Sequence, residues 1–252
     1  MKAVVGALLL LIPGVCLAQT PPFTGTIFLE PDIIRSTDRS AFVALEYTGQ
    51  DSRRMFDRRA ATFVQVNAYL FRAGFDDGLT AEVQVNPEFG SQAAAQREAE
   101  KYARAIGRIP TQLRTDMATV WIHKGLKPFG GGNNNVLIHT GQAEIYERDG
   151  ILEETLVHEA SHTSLDAHHA GAVGWRRAQQ RDGSFISTYA RDNPVREDIA
   201  ETFLLYLAAR HRSNRISRSL LGTIERTVPN RLAYFDDQRL LLYPITRSRA
   251  PR

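Results

Sequence analysis

The sequence predicts an α+β fold, on three observations. Strand-like segments fall before residue 140: Ala81-Glu82-Val83-Gln84-Val85-Asn86 alternates apolar with polar, and residues 119–123 and 136–139 are short runs rich in Val and Ile. Beyond residue 150, apolar residues recur at the three- and four-residue spacing of helices. One long helical stretch, residues 91–106, interrupts the strands.

The chain starts with Met1-Lys2, an apolar run from Ala3 to Ile12, and small residues up to Ala18. One positive charge, a short apolar core and a small-residue end describe a secretory signal peptide, residues 1–18, cleaved after Ala18. Residues 19–252 then form a single domain, secreted or periplasmic. The only cysteine is Cys16, so the mature chain has no disulfide, no thiol nucleophile and no thiol to occupy a metal. The net charge of +3 is close to balance and its signs are interspersed, which gives no footprint for nucleic acid. No later apolar stretch is long enough to span a membrane.

Residues 19–50 are a candidate N-terminal extension or pro-segment, with one strand-like piece at Thr26-Ile27-Phe28-Leu29. Residues 41–47 read as a strand ending at Thr48-Gly49. The charge-dense 53–59 reads as a salt-bridged turn of surface helix. Residues 61–73 are apolar with a period that fits helix or strand. Pro87 ends the strand at 81–86. In the helix at 91–106, Ala95, Ala99, Tyr102 and Ile106 mark one stripe and Gly107 is the stop. Residues 119–123 and 136–139 are strands. Between them, Gly130-Gly131-Gly132-Asn133-Asn134-Asn135 lacks the Lys-Ser/Thr ending of a phosphate loop and feeds a strand, so it reads as a mobile loop beside a site. Residues 141–149 read as a connection.

The stretch that carries chemistry is His158-Glu159-Ala160-Ser161-His162. Ile151 to Val157 is a helix-forming run with Glu153 and Glu154 in its first turn, where the helix dipole favours them. On a helix, His158 and His162 project from one face a turn apart, as two imidazole ligands of Zn²⁺ must. Glu159 is rotated about 100° from His158, free to act as a general base on water.

A third protein ligand has two candidates. His168 completes His-Glu-x-x-His-x-x-Leu-x-x-His, the metzincin spacing. But Leu165 stands where the turn needs glycine, and every methionine lies upstream. Glu197 follows Asn193-Pro194, a helix start with Asn193 as cap, and shares a face with Glu201. Two carboxylates one turn apart on an otherwise apolar helix need a cation. Glu197 would bind the metal, and Glu201 would accept the free ring N–H of His158.

The two helices together resemble the gluzincins, zincin metallopeptidases with His-Glu-x-x-His on one helix and a glutamate ligand on a second. Residues 189–201, Tyr-Ala-Arg-Asp-Asn-Pro-Val-Arg-Glu-Asp-Ile-Ala-Glu, resemble the lethal-factor-like branch, although Tyr189 is one residue farther from the glutamate than there. The likeness covers roughly residues 150–210. It implies a zincin-like fold: an upper lobe with a mixed twisted sheet and helices, and a mainly helical lower lobe from about Asp166. It implies one zinc ion on His158, His162 and Glu197, Glu159 as catalytic base and Tyr189 as catalytic oxyanion donor. The substrate is then a peptide or protein, bound by strand addition along 136–139. Two alternatives stay open: a zinc hydrolase of a non-protein amide, and a non-catalytic binding protein on the same scaffold. Residues 213–226 read as a helix, 229–242 as a segment packed on the lower lobe, and 247–252 as a frayed end.

Overall fold

The computed structural model describes residues 20–247. The expected signal segment and residues 248–252 lie outside the described residues. The fold is α+β. Among the described residues, one sheet of six strands has the order β1-β2-β3-β4-β6-β5. Its strands are β1 (Phe42–Asp57), β2 (Thr62–Phe75), β3 (Thr80–Val85), β4 (Thr119–His123), β5 (Gly130–Gly132) and β6 (Asn135–His139). β1 through β3 run antiparallel, β3, β4 and β6 are mutually parallel, and β5 returns antiparallel along β6. No helix of the described residues is long and apolar enough to cross a membrane.

One face of the sheet is closed by α1 (Gln92–Ile106), which the Ser91 side chain caps by accepting the Ala94 N–H. Its stripe of Ala95, Ala99, Tyr102 and Ile106 is fully buried, among Val83, Val120, Ile122, Val136 and Ile138. The alternate residues Trp121 and Leu137 therefore face the other side.

Four expectations are corrected here. Residues 53–59 are the end of β1 and the tip of a long hairpin, not a helical turn. Met55 is buried against Ala68 and Leu70, while Arg53 pairs with Glu82 across the sheet. Residues 26–29 are turns and bends, not a strand. Residues 141–149 belong almost wholly to α3 (Thr140–Arg148). The triple glycine is the sheet edge, β5, so 136–139 is an inner strand and not the edge expected to take substrate. The ambiguous 61–73 is strand.

The remaining helices are α2 (Thr111–Arg114), α4 (Leu152–Ser164), α5 (Asp166–His169), α6 (Val173–Asp182), α7 (Thr188–Asp192), α8 (Asp198–His211), α9 (Arg218–Thr227) and α10 (Pro229–Asp237). α4 lies between sheet and helices, touching β5, β6 and α8, and nearly all of it is buried. α8 is buried almost all round, which is why its apolar pattern has no single stripe. Its first residue, Asp198, accepts Arg231 Nε at 2.9 Å. Arg231 is fully buried and also reaches Asp182 at 3.0 Å, so α10 is bolted to the start of α8.

The N-terminal segment is woven into the same elements. Phe23 O and Thr24 O accept the Thr188 and Tyr189 N–H groups at 2.8 and 3.1 Å, and Thr26 Oγ1 donates to Glu201 O at 3.1 Å. Ile34 N–H donates to Glu154 on α4 at 3.0 Å, and Ile33 and Ile34 are in the core.

Candidate metal centre

α4 forms where the sequence places it. His158 and His162 lie one turn apart on its face, their rings nearly perpendicular with centroids 4.9 Å apart. Their Nε2 atoms are 3.3 Å apart. Glu197 arrives from the start of α8, with Oε2 at 3.4 Å from His158 Nε2 and 3.2 Å from His162 Nε2. Glu197 is the N-cap position of α8, and Asn193 instead ends α7, so the expected helix start at Asn193-Pro194 is shifted by one turn. Pro194 lies within the intervening turn.

Three donor atoms thus form a nearly equilateral triangle. Bonds of about 2.0–2.1 Å to a tetrahedral Zn²⁺ separate neighbouring ligand atoms by about 3.3 Å, the edge length seen here. Glu197 Oε2 is buried and has no hydrogen-bond partner, so its remaining lone pairs are unsatisfied. Two imidazoles and a carboxylate are a donor set that suits zinc. The residues fit the ion.

The tautomers are set by what lies behind the rings. Asp166 Oδ2 is 2.8 Å from His162 Nδ1 and accepts its proton, so that Nε2 is the ring atom turned towards the triangle. Glu201 Oε1 faces His158 Nδ1 at 3.6 Å, aligned as expected but outside hydrogen-bond range. Burial opposes charge on His162, yet Asp166 and Glu197 outweigh it and hold the ring up at about 10. Burial likewise opposes charge on Glu197, and the two histidines nonetheless hold its carboxyl well below the usual range.

Glu159 is half-buried and lines a cavity of about 560 Å³ with Thr155, His158 and Tyr189. The opposite wall comes from the N-terminal segment, through Thr24 to Phe28, and from Tyr146. Tyr189 is 46% exposed and its hydroxyl donates to Glu197 Oε1 at 3.0 Å. Burial and this bond push its phenol up to about 12. His168 does not join the group: its ring is exposed and pairs with Asp116 at 3.1 Å. Among the described residues, His158, His162 and Glu197 are the cluster able to hold a metal.

The backbone behind Glu159 is held by β5. A Cβ on Gly131 would lie 1.8 Å from Glu159 O, so only glycine permits this approach. Gly132 N–H donates to Thr163 Oγ1 at 3.0 Å on the next turn of α4. The glycine run is therefore a packed edge, not the mobile loop expected. Sequence reasoning missed Asp166 and Gly131. Asp166 stands four residues after His162, a spacing that could have flagged it, whereas Gly131 is decided by a tertiary contact.

Comparison with family models, with curated proteins and with solved structures finds no match to the chain.

Proposed function

We propose that the protein is a zinc-dependent metallopeptidase of the gluzincin type, holding one zinc ion on His158, His162 and Glu197 within a zincin-like fold. The triangle of His158 Nε2, His162 Nε2 and Glu197 Oε2, with edges of 3.2–3.4 Å, carries this reading. The sheet with α1 corresponds to the upper lobe and the helices from Asp166 onward to the lower.

Zinc bound there supplies Lewis acidity and brings the pKa of its water towards about 7. The Glu159 carboxylate accepts the proton of the attacking water and returns it to the leaving amine nitrogen. Asp166 fixes the His162 imidazole from behind, and Glu201 faces that of His158 as a charge. Tyr189, once its hydroxyl leaves Glu197, donates to the developing oxyanion of the substrate carbonyl. An extended peptide or protein substrate pairs with the β5 edge, which leads straight to Glu159. The setting is secreted or periplasmic.

Metal content and peptide hydrolysis test the reading together. Wild type should carry about one zinc per chain, as one three-ligand site requires. Glu197→Ala should lose it and His168→Ala should keep it. Glu159→Gln should keep zinc and lose about 10²- to 10⁴-fold in kcat. A Glu197→Ala protein that retains zinc, or a fully active Glu159→Gln, overturns the proposal.

A further inference from the structure

The β1–β2 hairpin ends in a tip that reaches past the sheet to the β5 edge. The tip is rigid. Asp57 pairs with Arg59 at 2.6 Å, Arg59 pairs with Glu88 at 2.7 Å, and Glu88 accepts the Lys124 N–H at 2.8 Å. Arg58, next along the chain, has no hydrogen bond or ion pair among the described residues. Its guanidinium instead lies against the edge strand: a Cβ on Gly130 would be 2.9 Å from Arg58 Nη2.

Between tip and edge lies a groove of about 290 Å³. Its walls are aromatic. Phe56 and Phe63 face each other across the hairpin with centroids 5.3 Å apart, and Phe63 meets Trp121 edge-on at 6.1 Å. Phe63 is 45% exposed, and Arg54 lies over its ring at 4.3 Å. No acidic side chain lines the groove. Its floor is the side-chain-free strip Gly130–Gly132, whose outer edge has no strand partner.

We propose that this groove is an exosite for the peptide substrate, taking a bulky apolar side chain and a carboxylate two residues away from it. This rests on the peptidase reading. A strand added to β5 directs alternate side chains to opposite faces. One set turns towards α4 and Glu159, and the other enters the aromatic groove. There an apolar side chain buries against Phe56, Phe63 and Trp121. Arg58, a planar fork with no carboxylate of its own, binds the acid two positions along, on the same face of the added strand, bidentately. The sequence thereby selected lies a few residues from the scissile bond, outside the catalytic cavity.

The test is binding and hydrolysis of three labelled decapeptides in an Ala/Ser background, with central Phe-Ala-Asp, Phe-Ala-Lys or Ala-Ala-Ala. Binding is read by fluorescence anisotropy on zinc-loaded Glu159→Gln, so that turnover does not interfere. Phe-Ala-Asp should bind about tenfold tighter than Phe-Ala-Lys. Arg58→Glu should invert that order and Phe63→Ala should weaken both Phe peptides towards Ala-Ala-Ala. Arg58→Gln, which keeps a polar side chain without the charge, should abolish the preference. Discrimination in binding without wild-type hydrolysis of any peptide keeps the groove and sinks the peptidase reading. Hydrolysis of all three with equal affinity, unchanged by Arg58→Glu, sinks the groove and keeps the peptidase. Absence of binding by every peptide overturns the groove.

Discussion

At His162 the ring is fixed by one carboxylate four residues farther along, so orientation costs no long-range contact. Asp166→Ala should weaken zinc binding about 10- to 100-fold, as loss of a partner behind a ligand histidine does. Competition with a chromophoric chelator measures this, and an unchanged affinity would remove Asp166 from the site. The candidate site was legible at this scale because its parts are local. His158, Glu159 and His162 follow from helical spacing alone. Glu197 was legible because two carboxylates on a buried helix demand a cation. The distance from Glu201 to His158 was not, since a few tenths of an ångström separate a hydrogen bond from a facing charge.

At the scale of elements, α4 and β5 behave as one unit. Gly131→Ala must push the edge strand off the helix, and a destabilisation of about 3 kcal/mol is expected, since neither backbone can give way. Thermal melts of the variant against Gly171→Ala, at a glycine with open space around it, would read it, and an unchanged Tm would show that the contact relaxes freely. β1, β5 and α3 were poorly legible from sequence, each for its own reason. β1 is charge-dense because both its faces are largely solvated, so the period-2 signal shows only at Met55. β5 has no side chains to carry a pattern, and its pairing follows from β6 alongside. In α3 the buried residues are only Thr140, Ala143 and Tyr146, too few for a stripe. α1, β3 and β4 were legible because each buries one well-marked face, and α4 because its helix-forming run carries the two histidines at helical spacing.

For the whole molecule, the N-terminal segment is joined to α4 through Glu154. That carboxyl is fully buried, accepts the Ile34 N–H through one oxygen and leaves the other without a partner. Burial pushes it up to about 8 from an ordinary 4.5. The folded chain therefore holds a proton that the unfolded chain releases. Its contribution to stability is complete below about pH 4.5, falls as pH rises towards about 8 and is lost above that. Glu154→Gln, which mimics the protonated form, should be more stable than wild type near pH 9 by on the order of a few kcal/mol, with no gain near pH 4. Denaturant melts at the two pH values check this, and parallel curves would refute it. The fold class was legible at this scale. The passage of residues 23–34 across the cleft was not, because it is held by single hydrogen bonds between segments far apart in sequence.

The bolt between α10 and α8 has a consequence for timing. Glu197 sits beside Asp198, and Asp198 is held by Arg231, a residue translated 33 positions later. A nascent chain that has emerged only as far as α9 has both histidines and the glutamate, but Asp198 beside it is then held by Gln179 without Arg231. The centre then gains its full support only once α10 has been made. Ribosome-stalled chains ending at Val228 should bind little zinc, and tight binding by them would refute this delay.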